Sequence, residues 1–565
     1  MSIESKMRKC AMLFAVSICA AAWALSAPAA AQPFNASIQA SLPSIAPGAD
    51  RSDSPAPFFP TPIELFPPSN SVPGPEAVYL SGVSCARPGN CAAVGQYIDT
   101  TGSSQPMIIT QTNGVWDQAF EANLPADSAT APGGQIAFLF GVYCTSVGNC
   151  VAAGAYTDSN GNEQPLVVTE TDGVWATGIA LSLPANATST PGTQFAFLNI
   201  VRCPSPGNCA ITGGYSTNGG SLDYGALVFS QRKGVWGRGV QIALPANATT
   251  ATSGPTNPAA GLNTMGALSC LRAGNCVGGG QYTDTNFNSQ PMISTEMNGA
   301  WSQAIELTLP DNAATAESSQ NGFLANIVCF AARNCSVGGG YNDINGNAQP
   351  AVFNETRGVW AKGFELSLPA NAATAPGTQS AYLNGFNCTS RGNCFAYSAY
   401  NDLTGSGQPL VITETGGLWA QGVEPPLPDN AITTAGDQDA NIYDASCTSP
   451  GFCAAVGNYV DTDGNLQAMV YSTVPMLSIA TLRLPSARVR STYRARLLAD
   501  GGAGQNEWSV SAGVLPGGLT LDASTGKILG APSATGIFNF TVSVTDSGTT
   551  PSQQASGQFS ILVRK

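Results

Sequence analysis

The chain has 565 residues, a formal net charge of −13, 10% charged residues, 63 Gly, 39 Pro, 16 Cys and no His. The absence of histidine excludes Ser-His-Asp and Cys-His catalysis and removes the commonest metal ligand. A hydrophobic content of 43% provides for a sizeable core, which excludes a wholly disordered chain. The length suggests three or four domains, unless one large all-β unit takes most of it.

The first 31 residues have the three parts of a secretory signal peptide. Lys6, Arg8 and Lys9 form a basic start, residues 11–25 are apolar, and small residues up to Ala31 form a cleavage site. The mature protein is therefore predicted to be secreted, periplasmic or attached to the cell surface. Residues 32–60 are rich in Pro and Ser and are predicted to be a flexible linker. No later stretch reaches the roughly 18 apolar residues of a membrane span, so no transmembrane segment is expected.

Cys10 and Cys19 lie in the predicted signal peptide, and the other fourteen cysteines form seven pairs with the spacing C-x5-C. Zinc sites also use paired cysteines, but they need four converging ligands, and each pair here is far from the next. In an exported chain the pattern favours seven local disulfides that clamp hairpins. The predicted bonds join Cys85 with Cys91, Cys144 with Cys150, Cys203 with Cys209, Cys270 with Cys276, Cys329 with Cys335, Cys388 with Cys394, and Cys447 with Cys453.

The cysteine pairs belong to a longer repeat of 59 residues, with one step of 67 between Cys203 and Cys270. Each unit has an apolar run before the first cysteine (strand a) and an alternating segment after the second (strand b). A third run follows Gln-Pro (strand c), and a fourth follows Gly-x-Trp (strand d). A period of two between Gly, Asn, Asp and Pro turns indicates strands. Four strands per unit favour the blade of a β-propeller, because they are too many for one coil of a solenoid.

The two ends of the repeat region predict how the ring closes. The seventh unit lacks the tryptophan and strand d, whereas residues 63–70, before the first unit, match residues 305–312, which contain strand d of the fourth unit. An N-terminal segment that supplies the outer strand of the last blade would remove the open edges of the ring. Residues 61–474 are therefore predicted to form a seven-bladed β-propeller closed by an N-terminal strand.

One tryptophan position is shared by six units: Trp116, Trp175, Trp236, Trp301, Trp360 and Trp419. Exposed aromatic rings could stack on sugars, but a residue repeated in nearly every blade is typical of packing between blades. Residues 169–175 resemble a degenerate Asp-box of the sialidase-like propellers, and the C-x5-C units are similar to those of exported bacterial propellers. In sialidase-like propellers the box is a structural turn, so the resemblance implies the fold and no activity.

Residues 475–565 break the repeat, contain no cysteine, and carry eight Lys and Arg against four Asp and Glu. Short alternating strands between Gly and Pro turns predict a β-sandwich. Segments 493–497, 515–522, 524–532 and 536–546 resemble the Ig-like domains of bacterial surface proteins. The resemblance implies a spacer or adhesion module, and it extends to cadherin-like sandwiches that bind calcium between domains. Asp522 and Asp546 are the acids that the family places here, and two lone aspartates do not make a calcium site.

In a propeller, the b–c turns and the d–a loops share one face, which commonly carries ligands. Six aspartates in b–c turns could form an acidic ring there that attracts cations or basic partners. Some of these turns look like calcium loops, but none supplies the acidic residue at loop position 12 of an EF-hand. The alternative is that Asp, Asn and Gly serve only the hairpin turns. The candidate ligand-binding residues are Asp99, Asp158, Asp284, Asp343, Asp402 and Asp461.

A second polar register follows strand c: Gln111, Glu170, Gln231, Glu296, Glu355, Glu414 and Thr473. Paired carboxylates could hydrolyse glycosides, but the even distribution of these residues singles out no catalytic blade. Sialidase-like enzymes also need an arginine cluster on the ligand face, and the arginines of the Cys loops are expected on the opposite face: Arg87, Arg272, Arg333 and Arg391. No catalytic residue and no metal site are therefore assigned.

Together these patterns predict an all-β, secreted or cell-surface, non-enzymatic binding or adhesion protein with a disulfide-clamped propeller and an Ig-like spacer. The expected partner is a protein or glycan at a cell surface. The acidic propeller argues against nucleic acid, and a monomer is expected. One alternative is a carbohydrate-active, sialidase-like enzyme, and another is a calcium-dependent adhesin. No cofactor is expected, with calcium the only one left open.

Overall fold

The computed structural model describes residues 62–72, 78–217, 224–249, 263–449, 452–472, 477–481, 483–500, 506–546 and 554–565. All regular elements in these ranges are β-strands. In the same ranges, no helix has the length and apolar character needed to cross a membrane. The predicted signal peptide of residues 1–31 and the predicted linker of residues 32–60 lie outside the described residues.

Seven antiparallel sheets follow one another along the chain, one for each repeat unit, and strands a, b and c pair in that order within each sheet. Strand a spans Val78–Arg87, Phe138–Ser146, Ala196–Ser205, Thr264–Arg272, Phe323–Ala331, Tyr382–Ser390 and Asn441–Ser449 in blades 1 to 7. Strand b spans Asn90–Ile98, Asn149–Thr157, Asn208–Ser216, Asn275–Thr283, Asn334–Asn342, Asn393–Asn401 and Phe452–Val460. Strand c spans Ser104–Thr112, Glu163–Thr171, Tyr224–Arg232, Ser289–Met297, Ala348–Thr356, Gly407–Thr415 and Leu466–Ser472.

Two short segments complete the outer edge of a blade. The first contains the repeated tryptophan and pairs with the end of strand c: Val115–Trp116, Val174–Trp175, Val235–Trp236, Ala300–Trp301, Val359–Trp360 and Leu418–Trp419. The second is strand d, which is only two residues long and pairs with the middle of strand c: Phe120–Glu121, Ile179–Ala180, Val240–Gln241, Ile305–Glu306 and Phe364–Glu365.

The sixth blade has a single bridge at this edge, between Val411 and Val423. In the fifth blade the residue after strand d adds a hydrogen bond, from the Leu366 N–H to the Pro350 carbonyl at 3.0 Å. Pro425 occupies the position of Leu366 in the sixth blade. Because proline has no N–H, the ladder stops there.

The predicted closing strand is present. Ile63–Glu64 pairs antiparallel with strand c of blade 7, Ile63 opposite Val470 and Glu64 opposite Met469. The Leu65 N–H then donates to the Ala468 carbonyl at 3.1 Å, as Leu366 does in its own blade. The prediction that an N-terminal segment supplies the outer strand of the last blade is therefore confirmed.

The first and last blades also bond directly to each other. The Asn458 side chain of blade 7 accepts from the Leu80 N–H at 3.2 Å and donates to the Val78 carbonyl at 2.8 Å. Neighbouring strands a approach closely elsewhere in the ring: a Cβ on Gly141 would lie 2.3 Å from the Asn199 carbonyl oxygen. Glycine is needed at such a point because no side chain fits. Strands a therefore line the axis of the ring.

The C-terminal domain forms its own core. A four-stranded sheet has the order Ala487–Arg488, Gln554–Arg564, Gly536–Asp546, Asn506–Gly513. A three-stranded sheet has the order Tyr493–Arg496, Lys527–Gly530, Leu519–Leu521, and Ser478–Ile479 pairs with Ala499–Asp500. Buried Trp508, Ile528, Val542 and Ile561 belong to one cluster. This is the predicted β-sandwich.

Candidate functional site

The ends of the blade strands define two faces of the ring. At one end the a–b turn bonds to the c–d turn of the same blade, as in the hydrogen bond from Gly114 N to Gly89 O at 2.8 Å. Because the a–b turns hold the cysteine pairs, we name this end the disulfide face. At the other end the d–a loop of one blade pairs with the b–c turn of the next, as Ser128 does with Asp158. We name this end the loop face.

The seven predicted disulfides are confirmed, each with a sequence separation of 6. In blade 1 the two cysteines stand directly opposite each other on strands a and b. Trp116 packs against the cluster that contains Cys85 and Cys91, and Trp175 packs against the cluster of Cys144 and Cys150. The tryptophans therefore act as packing residues of the blades, as predicted.

The six turn aspartates are buried on the loop face, where each accepts hydrogen bonds from its own turn. Asp158 Oδ1 accepts from the N–H groups of Asn160 and Asn162, both at 2.9 Å. Its other oxygen accepts from the Gln164 side chain at 2.9 Å, which explains the repeated Gln-Pro. Burial opposes ionisation, but these hydrogen bonds outweigh it and lower the pKa of Asp158. The same Asp–Gln pairing recurs at Asp99, Asp284, Asp343, Asp402 and Asp461. Their role in the turns is thus explained, and ligand binding by them stays a prediction.

The second polar register lies at the end of strand c that reaches the disulfide face, opposite the repeated tryptophans. Gln111 and Gln231 donate their side-chain amides to the carbonyls of Gly114 and Gly234, at 3.1 and 3.3 Å. At the matching positions, burial raises the pKa of the glutamates: Glu170, Glu296, Glu355 and Glu414. Thr473 lies outside the described residues. Gln111 and Gln231 therefore stabilise the turn of their own blade, whereas Glu296 accepts a hydrogen bond from Ser230 at 3.4 Å instead.

A third repeated contact joins neighbouring blades and was missed at the sequence level. The strand b tyrosine donates to the side chain of the preceding d–a loop and, in several blades, to a glutamate of strand d. In blade 5, Tyr341 donates to Asn312 at 2.8 Å and to Glu365 at 2.6 Å. The d–a loops, which carry the sequence Leu-Pro-x-Asn or Leu-Pro-x-Asp, therefore help to hold neighbouring blades together. The tyrosines of this set are Tyr97, Tyr156, Tyr215, Tyr282, Tyr341, Tyr400 and Tyr459.

The symmetry of the repeat breaks at the axis of the loop face. Tyr79 of blade 1 and Tyr443 of blade 7 have ring centroids 4.8 Å apart and a mutual hydroxyl hydrogen bond. Tyr382 of blade 6 and Asp439, just before strand a of blade 7, complete the group. Burial raises the pKa of all three tyrosines, and the Asp439 charge adds to the rise. Tyr79, Tyr382, Tyr443 and Asp439 are called the axial cluster below.

The opposite side of the ring carries a second departure from the repeat. Glu163 begins strand c of blade 2, where the other blades have Ser104, Tyr224, Ser289, Ala348, Gly407 or Leu466. Burial raises the pKa of Glu163 well above its ordinary value, and its Oε1 accepts no hydrogen bond within the described part of the chain. Tyr224 is close enough for the Glu163 charge to add to burial in raising the tyrosine pKa to about 12. Phe195 stacks edge-on against Tyr224, with centroids 5.5 Å apart.

Nearer the disulfide face, polar side chains from several blades meet at the axis. Asp444 of blade 7 accepts from the Val83 N–H at 2.9 Å and from the Tyr397 hydroxyl at 3.0 Å. Arg202 of blade 3 reaches Asn326 of blade 5 at 3.5 Å. Burial raises the pKa of Asp444 while the Arg202 charge acts against the rise. These groups brace blades on opposite sides of the ring.

Sequence periodicity did not reveal these axial residues, because the tyrosines and phenylalanines at the start of strand a recur with the same spacing as buried core residues. What distinguishes the axial residues in the sequence is that they differ from the residues at the same position of other repeat units. Aligning the repeats position by position shows one acidic residue, Glu163, at a position where every other blade has an uncharged residue. The same alignment shows one aspartate, Asp439, where other units have Ile136, Phe195 or Ser380. Alignment positions of this kind show where one repeat unit departs from the pattern that the others share.

The acids of the C-terminal domain take part in local structure. Asp522 Oδ1 accepts from Ser524 N at 3.1 Å and Thr525 N at 2.9 Å. Asp546 is fully buried. No three acidic or cysteine side chains converge as a metal site within the ranges that the structure describes. Calcium binding stays a prediction.

Comparison with known proteins identifies one domain. The family model "Putative Ig domain" matches residues 475–564, which confirms the resemblance of the C-terminal domain. No curated protein matches the chain in sequence.

Solved structures are similar to the chain at low identity. A protein of unknown function from Dyadobacter fermentans DSM 18053 shares 9% identity over 74% of this chain and 98% of its own, with a TM-score of 0.37. A polysaccharide lyase of family PL25, an ulvan lyase, shares 11% over 73% and 96%, with a TM-score of 0.43. The Hadza microbial sialidase Hz136 shares 10% over 70% and 66%, with a TM-score of 0.33.

Proposed function

We propose that this protein is a secreted or cell-surface binding protein without enzymatic activity, and that its ligand enters at the axis of the loop face. The observation that carries the proposal is the axial cluster. Three tyrosines and an aspartate from three blades come together there, whereas most other polar residues of the ring recur at the same position from blade to blade. Binding sites combine aromatic surface with a few polar groups in this way.

The repeated polar residues support a scaffold role for the rest of the ring. The turn aspartates and the interblade tyrosines recur from blade to blade and make structural contacts, and Gln111 and Gln231 of strand c bond to their own turns. Exposed arginines lie on the disulfide face, in the a–b and c–d turns, and not beside the axial cluster. Among the described residues, the loop face therefore carries no cluster of arginines like the one expected of a sialidase-like enzyme.

Seven disulfides support an oxidising compartment, and a cell-surface protein or glycan is the partner we propose. The Ig-like domain, with its excess of Lys and Arg, would act as a spacer or adhesion module beside the acidic propeller. A monomer remains our proposal for the oligomeric state.

The experiment is a binding screen of the full mature chain against glycans, intact cells and small polar ligands, with a Tyr443→Leu variant as comparison. We expect at least one ligand whose binding weakens tenfold or more in the variant while its melting temperature stays within a few degrees. Binding that is the same in the variant and the parent for every ligand would contradict an axial site.

A second candidate, a glycan-active enzyme, is favoured by one observation. Burial raises the pKa values of Glu163 and Asp439, two carboxyl groups of the loop face, and the general acid of glycoside hydrolysis is a carboxyl group with a raised pKa. Incubation with oligosaccharides decides between the two functions. Turnover abolished by Glu163→Gln or Asp439→Asn alone would support the enzyme.

A further inference from the structure

The disulfide face carries exposed apolar side chains that pack little against the blades. The residue before the repeated tryptophan is between 62% and 78% exposed in five blades: Val115, Val174, Val235, Val359 and Leu418. In blade 4 this residue is Ala300, and Met297, which lies opposite it in the strand pair, is 67% exposed. One apolar side chain on a surface is ordinary, but here six blades present one at the same corner of the same face. Threonine suits a strand as valine does, so the short strand does not require an apolar residue.

Exposed cations lie at the same turns. Of the ten Lys and Arg residues in the described part of the propeller, seven are exposed at the a–b and c–d turns: Arg87, Arg232, Lys233, Arg272, Arg333, Arg357 and Arg391. Of the other three, Arg202 lies at the axis, and Arg238 donates to the Leu183 carbonyl at 2.7 Å. Lys362 forms an ion pair with Asp311. Because the a–b turn is hydrogen-bonded to the c–d turn in blades 1 to 6, the cations and the exposed apolar side chains share one surface.

Few acids oppose these seven cations. Among the described residues, Asp172 is the one exposed acid of the turns, and Asp117 lies just beyond them in blade 1. Four glutamates at the end of strand c lie beneath the turns, and two of them also feel the charge of a neighbouring arginine. Burial raises the pKa of these glutamates and so lowers the negative charge that they carry: Glu170, Glu296, Glu355 and Glu414. The exposed charge of the disulfide face is therefore positive.

The loop face has the opposite exposed charge. Its d–a loops carry four exposed acids: Asp127, Glu317, Asp429 and Asp437. Exposed apolar side chains occur there too, with Ile344 and Leu403 in the b–c turns, but the seven cations lie at the other face. An anionic surface therefore attracts the disulfide face and repels the loop face.

We infer that the disulfide face docks on an anionic lipid bilayer, with its cations against the headgroups and its exposed valines, Met297 and Leu418 at the boundary with the acyl chains. Binding at a membrane surface combines burial of apolar side chains with attraction of Lys and Arg to anionic lipids. A soluble polyanion would use the cations but would leave the apolar side chains in water. The loop face, at the other end of the blades, then points away from the bilayer, towards the ligand proposed above.

Flotation of the full mature chain with phosphatidylcholine vesicles, with and without phosphatidylglycerol, tests the inference. We expect binding to the anionic vesicles to be at least tenfold tighter, and to weaken as salt screens the cations. Two double variants separate the contributions. Val235→Ser with Leu418→Ser should weaken binding to anionic vesicles at least fivefold through the apolar side chains, and Arg272→Gln with Arg391→Gln should do so through the charges. All four residues are exposed, so the melting temperature should stay within a few degrees of the parent value.

Ile344→Ser with Leu403→Ser is the matched control, because these two side chains are 68% and 69% exposed on the loop face. This variant should bind anionic vesicles within twofold of the parent. Equal binding of the parent to both kinds of vesicle, or no binding to either, would overturn the inference. Vesicle binding that is unchanged in both disulfide-face variants would also overturn it and would place the contact on the basic Ig-like domain. Binding to heparin without binding to vesicles would identify a polyanion site instead. None of these outcomes bears on the axial site, whose test is the Tyr443→Leu variant.

Discussion

Tyr459 donates a hydrogen bond to the Glu64 carboxylate at 3.1 Å, across 395 residues of chain. Asn430 completes the contact, accepting from Tyr459 at 2.8 Å and donating to Glu64 at 3.1 Å. The same Tyr, Asn and Glu triad joins blades within the ring, for example at Tyr400, Asn371 and Glu424. The junction that closes the ring therefore has the same chemistry as the junctions inside it.

Glu64→Ala should lower the free energy of unfolding by about 1 kcal/mol, because a partner of a partly buried hydroxyl is removed. Glu424→Ala is the matched variant, since it removes the same partner at an internal junction. Urea unfolding followed by tyrosine and tryptophan fluorescence measures both. If Glu64→Ala had no effect while Glu424→Ala destabilised the protein, the closing junction would not contribute to stability.

Removing one disulfide, by Cys144→Ser with Cys150→Ser, should cost roughly 2 kcal/mol in the chain-entropy model, because the loop it closes is short. Reducing all seven bonds should lower the melting temperature of the propeller strongly. The C-terminal domain has no cysteine, so its unfolding transition is the internal control. Calorimetry with and without reductant distinguishes the two transitions, and equal shifts in both would contradict the prediction.

Glu170→Gln should stabilise the protein at pH 7. Burial raises the pKa of Glu170, so its stabilising contribution is present below the ordinary value of 4.5 and is lost as the pH rises through the higher folded value. A glutamine there can donate to the Gly173 carbonyl as Gln111 does to Gly114, a gain of about 1 kcal/mol.

Melting curves of the parent and Glu170→Gln proteins between pH 4 and pH 7 provide the measurement. The advantage of the variant should grow with pH. A constant difference across the range would show that ionisation of Glu170 plays no part.

Asp158→Asn should destabilise the protein at neutral pH by about 1 kcal/mol, because an amide cannot accept from both the turn N–H groups and Gln164 as the carboxylate does. Hydrogen bonds lower the pKa of Asp158 despite burial. Its contribution is therefore present above the ordinary value of 3.8 and is lost as the pH falls through the lower folded value.

The difference between parent and Asp158→Asn proteins should accordingly shrink below pH 4. Asp172→Asn, in an exposed turn at φ 49°, serves as control because asparagine tolerates that backbone conformation. An effect of Asp172→Asn equal to that of Asp158→Asn would argue against the turn network.

The repeat made most of the ring predictable. Seven copies of one pattern were enough to predict the strands and the disulfides. The match of residues 63–70 to residues 305–312 predicted that an N-terminal segment completes the last blade, and the structure adds the register, Ile63 opposite Val470. The two-residue length of strand d was not predictable, since it depends on how far the outer edge follows strand c. The same holds for the single bridge at Val423, although Pro425 explains it afterwards.

The site was less predictable than the ring. The search for repeated polar residues selected the turn aspartates as candidate ligand-binding residues. Their hydrogen-bond partners, such as Gln164, lie in the same hairpin. Tyr79, Tyr443 and Asp439 come from distant parts of the sequence and become neighbours only when the ring closes. The repeat pattern predicts the residues that the blades have in common. The axial cluster is formed by residues that differ between blades, so the repeat pattern does not predict it.

Within the part of the chain that the structure describes, every disulfide lies in a single blade, so none of these bonds holds the ring shut. The closing strand Ile63–Glu64 is synthesised before the blades but can pair only after them, because its partner strand around Val470 is synthesised some 400 residues later. At about 5–20 residues per second the early strand waits roughly 20–80 s for it. Throughout that interval the segment presents unpaired backbone that could join another chain. The timing of synthesis thus makes this terminal strand the place where two copies could exchange strands.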